Sequence, residues 1–144
     1  MIRIMSDLEL FSEEETIAML INHGRVEDLP TDERGPTFTG RVWAEPLLAA
    51  AEGVAVTSVF FPPGSRTNWH THDQGQVLLV TAGAGRVSNA DGDGGPIRAG
   101  DVVWISAGER HWHGAQPTTS MSHIAISLGD ADWQDPVSDE DLGG

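Results

Sequence analysis

Several residue types that often carry protein chemistry are missing from this sequence. Its 144 residues include no cysteine, which excludes disulfides, thiolate metal ligands and cysteine nucleophiles. Lysine is also absent, because all eight basic residues are arginine, and this rules out a Schiff base formed on a lysine. There is no tyrosine either, so a common general acid is unavailable. Histidine and the acidic residues are left as the side chains able to move protons.

Long apolar runs and excess positive charge are absent too. No stretch approaches the roughly 20 apolar residues of a membrane helix, so no membrane partner is expected. Residues 1–10 hold one arginine and turn acidic at Asp7, unlike a secretory signal, and we expect a cytoplasmic protein. The net charge of −14 repels phosphate backbones, which argues against nucleic acid as a partner.

The N-terminal region differs in pattern from the rest of the chain. Ser12 and Glu15 form a capping-box pattern, and Gly24 is a stop signal, so we predict a short helix over residues 12–24. A loop rich in Pro, Gly and acidic residues follows at residues 30–35. We therefore divide the chain into an N-terminal helix and arm, residues 1–35, and one barrel domain with an acidic tail, residues 36–144. The arm is interpreted as a docked lid or a dimer contact.

From Phe38 onward, short runs rich in Val, Ile, Thr and Phe alternate with turns, which predicts an all-β, jelly-roll type of barrel. In the acidic tail, Ser138 is a candidate cap for one last helical turn. The predicted strands are Phe38 to Trp43, Val54 to Phe61, Asn68 to His72, Gln76 to Ala82, Gly85 to Asn89, Pro96 to Arg98, Asp101 to Ile105, His111 to Ala115 and Met121 to Leu128.

Two close histidine pairs, His70–Thr71–His72 and His111–Trp112–His113, suggest a metal site. Alternate residues of a strand face the same side, so His70 and His72 can point at one position. Gln76 shares their parity once the bend at residues 73–75 is passed. A divalent cation needs three or more such donors converging.

The frame around these histidines resembles the two motifs of the cupin family. Residues 64–83 resemble the first motif, with Gly64 six residues before His70 and Gly83 seven residues after Gln76. Residues 100–111 resemble the second motif, which ends at His111. Gln76 stands where that motif usually has Glu, and Ser106 where it has Pro. With a neutral amide in the site, the charge of a bound cation is less compensated, and the cation is a stronger Lewis acid.

A closer resemblance extends over about residues 38–142, to the small bacterial cupins that include the manganese-dependent hydroxynitrile lyases. It rests on residues 38–47, 69–83, 100–104 and 111–126, together with Asp132 and Trp133. The resemblance implies a cupin-type barrel with one divalent ion, Mn²⁺ first and Fe, Ni, Co or Zn as alternatives. The implied ligands are His70, His72, Gln76 and His111, the implied proton-handling residue is His123, and the implied pocket residues are Thr57, Val59, Thr67 and Ser127.

Position along the chain gives two further hints. His123 shares one strand face with residues 121 and 125 in an otherwise apolar run, so it is either a base or a core histidine bonded to a backbone carbonyl. His113 has the same parity as His111 and is either a ligand or a hydrogen-bond partner of the site. Both His123 and His113 are therefore candidate catalytic residues.

Three functions are consistent with these residues. The first is a metal-dependent lyase that acts on a small α-hydroxy nitrile or similar alcohol, with a Lewis-acid metal and a histidine base. The second is a metal-dependent dioxygenase of a small aromatic or enol substrate, and the third is a cupin that binds a small ligand without catalysis. In each case the partner is a small molecule, and a homodimer or larger homo-oligomer is expected, because barrels of this kind often cover a sheet edge with a second copy.

Overall fold

The structure, a computed structural model, describes residues 18–143, and nearly all of its regular structure is β. Twelve strands precede one short helix. The strands are β1 (Asp32–Glu33), β2 (Phe38–Thr39), β3 (Trp43–Ala51), β4 (Val54–Phe61), β5 (Arg66–Thr67), β6 (His70–His72), β7 (Gln76–Asn89), β8 (Gly94–Arg98), β9 (Val102–Ile105), β10 (His111–Ala115), β11 (Met121–Leu128) and β12 (Ala131–Trp133), and the helix is α1 (Asp139–Gly143).

The strands form two antiparallel layers that share one long strand. In the first layer β1, β3, β4, β11 and β7 are neighbours, and β9 pairs with the first half of β7. In the second layer the other half of β7 pairs with β8 and β10, and β10 continues to β5, β6 and, through β5, β2. The 14 residues of β7 therefore pass from one layer to the other, which curls the sheet into a barrel.

The interior of the barrel is filled from both layers. Its core contains branched and aromatic side chains that alternate along their strands with exposed residues, as expected for sheets with one buried face. Fully buried members include Val42, Phe61, Leu78 and Met121. A second, smaller core lies outside the barrel, where Trp69, Trp112 and Val137 pack together with Leu142. That second core holds the C-terminal segment against the second layer.

The predicted all-β barrel is confirmed, and three strands, β4, β10 and β11, have the predicted bounds. Two strands predicted separately, over residues 76–82 and 85–89, are one continuous strand, β7, in spite of Gly83 and Gly85. At Gly83, which has a φ of +75°, the backbone lies against the Ser120 carbonyl, so there is no room for a side chain. The glycines therefore mark a close approach of two strands and not a turn.

The predicted N-terminal helix is wrong over residues 18–24, which form no helix, and residues 12–17 lie outside the described residues. The apolar residues Leu20 and Ile21, which would have formed the buried face of that helix, are 55% and 66% exposed. A short helix without an apolar surface to pack on is only marginally stable in water. Part of the predicted arm belongs to the barrel instead, because β1 pairs with the start of β3.

The chain is tied down again near its C-terminus. β12 pairs with β6, and α1 follows with an N-terminal cap in which Asp141 N donates to Ser138 Oγ at 3.1 Å. In return, Ser138 N donates to Asp141 Oδ2 at 3.0 Å, so the helical turn suggested by Ser138 is present. None of the helices in the described range is long and apolar enough to cross a membrane.

Candidate metal centre and cavity

Strand pairing places four histidines side by side at one end of the barrel. His111 of β10 lies directly opposite His70 of β6, and their ring centroids are 4.2 Å apart. The alternation of each strand adds His72 and His113 to the same face. All four side chains are at least 97% buried, which is unusual for polar residues that lack a full set of hydrogen bonds.

The hydrogen bonds of two of these histidines fix which nitrogen carries the proton. Nδ1 of His70 lies 2.9 Å from the Asn68 carbonyl oxygen, and Nδ1 of His111 lies 2.9 Å from the Glu109 carbonyl oxygen. A carbonyl can only accept, so both Nδ1 atoms must donate. Each Nε2 of the neutral ring then keeps a free lone pair, which is the state that a metal ligand requires.

Gln76 brings a third lone pair to the same point. Its Nε2 donates to Ser127 Oγ at 3.0 Å, and its Oε1 lies 3.1 Å from Nε2 of His111. Because that Nε2 carries no proton, two acceptors face each other at a distance normal for a hydrogen bond. Two ligand atoms bound at right angles to one cation, each about 2.1 Å from it, are separated by about 3 Å. The site therefore fits a divalent cation between His111 and Gln76.

Further unpartnered nitrogens surround this point. Nε2 of His70, both ring nitrogens of His72 and Nε2 of His113 are buried without a hydrogen-bond partner in the described part of the chain. Donor atoms of His70, His111 and His113 lie within 4.8 Å of one another, which is a spacing that one ion can span. The ring of His72 is about as close as that of His113, with centroids 5.1 Å from His70 and 5.7 Å from His111 against 5.2 Å and 5.5 Å for His113, but its nitrogens fall outside that spacing. The tightest histidine cluster thus contains His113 in place of His72.

A fifth histidine adjoins the cluster. Nε2 of His123 lies 3.0 Å from Nδ1 of His113, and Nδ1 of His123 has no partner within residues 18–143. His123 sits on β11 beside a β-bulge, because the register with β7 shifts between Ser122 and His123. The unpaired residue is Thr81 of β7, so the alternation along β11 is unbroken and His123 faces the same side as the core residues Met121 and Ala125. Its ring therefore lies between the apolar core and the histidine cluster.

A cavity of about 230 Å³ opens onto these side chains. One water occupies about 30 Å³ in the liquid, so the space admits a single small organic molecule. The walls combine the site histidines with apolar and hydroxyl-bearing residues. The lining residues are Arg34, Thr37, Phe38, Ala44, Thr57, Val59, Phe61, Thr67, His70, His72, Gln76, His113, His123, Ala125, Ser127 and Trp133.

A larger groove of about 610 Å³ runs along residues 21–30. It is lined by the exposed N-terminal segment and holds one histidine, His23, without a cluster of potential ligands around it in the described structure. Size alone would favour the groove, but converging polar groups mark a binding site better than volume does. We therefore take the smaller cavity as the functional site.

Comparisons with known proteins agree with this geometry. A family model for the cupin domain matches residues 57–127, which include all five clustered histidines. An (R)-mandelonitrile lyase of Granulicella tundricola is 51% identical over 115 residues, which are 74% of this chain and 88% of the relative. The chain belongs to the cupin family. Within it, the chain resembles the hydroxynitrile lyases, and this relationship supports an enzymatic role.

Solved structures support the cupin fold independently. A cupin-like protein of Thermotoga maritima superposes with a TM-score of 0.72 at 35% identity, covering 81% of this chain and 94% of that protein. A predicted oxalate decarboxylase of the same organism gives a TM-score of 0.65 at 22% identity, over 76% and 100% of the two chains. The second likeness concerns the fold alone.

Burial keeps the histidines of this cupin neutral. Loss of hydration lowers the pKa of His72 to about 4 and that of His123 to about 4, and it also lowers the pKa of His70 and of His111. Burial likewise holds the pKa of His113 well below its ordinary value, with the nearby His123 as a further cause. At neutral pH all five rings are therefore uncharged, which leaves each a lone pair for a cation.

The structure brings every predicted site residue to one place. The predicted pocket residues Thr57, Val59, Thr67 and Ser127 all line the cavity, and Ser127 also orients Gln76. Seven lining residues were not predicted as site residues, and two of them bear directly on the chemistry of the site. Trp133 stacks on His70 with ring centroids 4.3 Å apart, and Arg34 follows β1 in a segment interpreted as part of the arm. The resemblance included Trp133 without a role, and no motif surrounds Arg34.

Proposed function

We propose that this cupin is a metal-dependent lyase that cleaves the carbon–carbon bond of a small α-hydroxynitrile. One observation carries the proposal: the facing lone pairs of His111 and Gln76, 3.1 Å apart, adjoin the cavity that Gln76 lines together with the His113–His123 pair. A Lewis acid and a base beside one small cavity are the two groups that such a reaction needs. The related mandelonitrile lyase supplies the choice of substrate class.

The proposed ligands are His70, His72, Gln76 and His111, with one ion per chain. All four are neutral, and the resemblance to manganese-dependent lyases puts Mn²⁺ first, with Fe, Ni, Co or Zn, which bind imidazole donors readily, as alternatives. When bound, such a cation supplies a Lewis acid that stabilises negative charge on an oxygen atom. His113, which lies in the tightest histidine cluster, is an alternative ligand only in the tautomer whose Nδ1 donates to Nε2 of His123.

His123 is the proposed base, and His113 positions it. The contact of 3.0 Å to His113 occupies Nε2 of His123, so Nδ1 is the nitrogen that accepts the proton of the substrate hydroxyl. As the oxygen becomes a carbonyl, the bond to the nitrile carbon breaks and its electron pair leaves with cyanide. His123 then returns the proton to cyanide, and an aldehyde and hydrogen cyanide are released.

The walls of the cavity are proposed to orient the substrate. Thr57, Thr67 and Ser127 offer hydroxyl groups, and Val59 offers an apolar surface. Phe61 lies beside His123, with ring centroids 5.1 Å apart, and gives an aromatic substrate ring an apolar neighbour. The cavity therefore suits a compact substrate with one aromatic or apolar end.

The test begins with the metal-loaded protein and mandelonitrile. We expect benzaldehyde to appear, to disappear after the metal is removed with a chelator, and to return when Mn²⁺ is added back. His70→Ala and His111→Ala should each lose the metal, as measured by mass spectrometry, while circular dichroism stays that of a barrel. Full metal content in both variants would overturn the ligand assignment.

The alternatives predict different outcomes in the same assay. Consumption of dioxygen during turnover indicates the dioxygenase, and ligand binding by fully loaded protein without any product indicates a cupin that only binds. Absence of benzaldehyde from fully loaded protein contradicts the lyase proposal. The homodimer and the cytoplasmic location stay predictions beside it.

A further inference from the structure

No carboxylate in the region that the structure describes balances the positive charge that a cation would bring to the cavity. Among residues 18–143, no Asp or Glu lines this cavity, although the whole chain has 22 acidic residues. The proposed ligands are also neutral, so nothing in the wall balances a bound divalent cation. The cavity of a strongly acidic protein is thus kept free of negative charge.

One wall residue adds positive charge instead. Arg34 is the only arginine of the described chain that lines the cavity. Arg25 and Arg41 form ion pairs with Glu45 and Glu33, at 2.9 Å and 3.1 Å. Arg66, by contrast, donates to the Val137 carbonyl oxygen. These other arginines have partners within the protein.

The guanidinium group of Arg34 donates no hydrogen bond within the described residues. Its one ion pair is long, with 3.8 Å between Nε and Oδ1 of Asp32, and both side chains are partly open to water, which weakens the pair. The backbone of Arg34 is fixed, because its N donates to the Val42 carbonyl oxygen at 2.7 Å. A positioned arginine with a free planar fork is suited to bind a carboxylate through two hydrogen bonds.

We propose that Arg34 makes this cavity a receptor for a small carboxylate-bearing ligand, of which an α-hydroxy carboxylate is the simplest. The carboxylate binds Arg34, and the hydroxyl group lies among the histidines. The inference uses the cavity of the proposed function and names an anionic group on its natural substrate. It does not depend on cleavage of a nitrile.

Calorimetric titration of the metal-loaded protein with mandelate and with mandelamide tests this inference. The two probes differ in charge but little in shape. We expect mandelate to bind the native protein more tightly, and Arg34→Gln to weaken mandelate binding by about 10-fold, since a charge-assisted bidentate contact is lost. Mandelamide binding should not change, and Arg34→Lys should recover part of the loss.

Arg41→Gln is the matched control, because Arg41 lies nearby, carries the same charge and is absent from the cavity wall. It should leave the binding of both probes unchanged, and metal content should be equal in all variants. Equal mandelate affinity in the native protein and in Arg34→Gln overturns the inference. Equal losses of mandelate affinity in Arg34→Gln and Arg41→Gln also overturn it, because they indicate a general effect of net charge. Either result can occur while mandelonitrile is still cleaved, so this failure is separate from failure of the proposed function.

Discussion

Gln76 is the proposed ligand whose side chain is neutral at a position where the cupin motif usually has a negatively charged Glu. Replacing it by Glu keeps an oxygen ligand but adds one negative charge beside the cation. We expect Gln76→Glu to keep the metal and to lower the rate of mandelonitrile cleavage by about 10- to 100-fold, the range seen for changes close to a metal. Metal content by mass spectrometry and the initial rate of benzaldehyde release measure the two effects.

Gln74→Glu is the control for Gln76→Glu, since it adds the same charge at an exposed position two residues away. It should leave both metal content and rate unchanged. A Gln76→Glu protein with native activity would mean that the charge of the site does not limit the reaction.

His123 separates proton transfer from metal binding. In the proposed mechanism it is not a ligand, so His123→Ala should keep the metal and lose about 10²- to 10⁴-fold in rate, the usual contribution of a general base. Rate and metal content are measured on the same sample. Loss of metal in proportion to activity would make His123 a ligand, and full activity would make it a packing residue and leave His113 as the candidate base.

Among the strands, β6 is short for the number of proposed metal ligands that it carries. It has three residues, carries both His70 and His72, and is held by β10 on one side and β12 on the other. Trp133 of β12 lies opposite His70 and stacks on its ring at an interplanar angle of 26°. The indole of Trp133 is therefore a contact between β12 and β6 in addition to the backbone pairing. It restricts the orientation of the His70 ring, a proposed metal ligand.

Trp133→Leu tests that restriction. We expect a metal affinity about 10-fold lower, measured by competition with a chromogenic chelator, because the His70 ring gains freedom when the stack is lost. Trp43→Leu is the control, since Trp43 has nearly the same exposure, 37% against 38%, and lies on β3 away from the cavity wall. Equal affinities in the two variants would show that Trp133 does not order His70.

Much of the fold could be predicted because the alternation of apolar and polar residues along a strand indicates which of its faces is buried. Residues 121–128 alternate between buried and partly exposed positions, and both ends of β11 were predictable from that pattern. The two-residue strands β1, β2 and β5 are too short for any periodicity. β12 has only three residues, all of them at least partly exposed, so no buried face marks it in the sequence and its pairing with β6 depends on contacts with a distant part of the chain.

The candidate site was likewise predictable only where it depends on residues close together in the sequence. The alternation of His70 with His72 and of His111 with His113 was readable, but the pairing of β6 with β10, which makes one site of the two pairs, joins residues 41 positions apart. The bulge beside His123 has no sequence signature. Arg34 enters the wall only because β1 joins β3, and residues 30–35 lack a periodic pattern.

For the whole molecule, the five buried histidines make stability depend on pH. An unfolded histidine has a pKa of about 6.5, whereas burial lowers the pKa of His72 and of His123 to about 4. Between these values the unfolded chain binds more protons, so stability is full above pH 6.5 and is lost as the pH falls towards 4. For the metal-free protein we expect a loss of order 1–2 kcal/mol per such histidine between pH 7 and pH 5.

Urea unfolding of the metal-free protein at the two pH values measures this loss. His123→Gln should show a smaller difference between pH 7 and pH 5 than the native chain, whereas replacing the exposed His23 in the same way should not change it. Equal free energies of unfolding at both pH values would mean that the histidines are not buried in the absence of metal.

Exposed apolar side chains support the expected homodimer. Trp43 and Phe60 lie opposite each other on β3 and β4 with 37% and 42% of their surface exposed, and Val102 and Trp104 of β9 are more exposed still. Light scattering at micromolar concentration should give about twice the chain mass of 15.4 kDa. A mass equal to one chain would contradict the prediction and leave these residues as isolated surface positions.

The order of the strands along the chain also bears on biosynthesis. All four proposed ligands precede β12, yet β6, which presents two of them, has β12 as one of its two neighbours. While residues 131–133 are still inside the ribosome, the stretch from His70 to His72 lacks that neighbour and the stacked indole. A nascent chain therefore carries all four proposed donors before β6 has its second neighbour, and the orientation of His70 is restricted by Trp133 only after β12 has emerged.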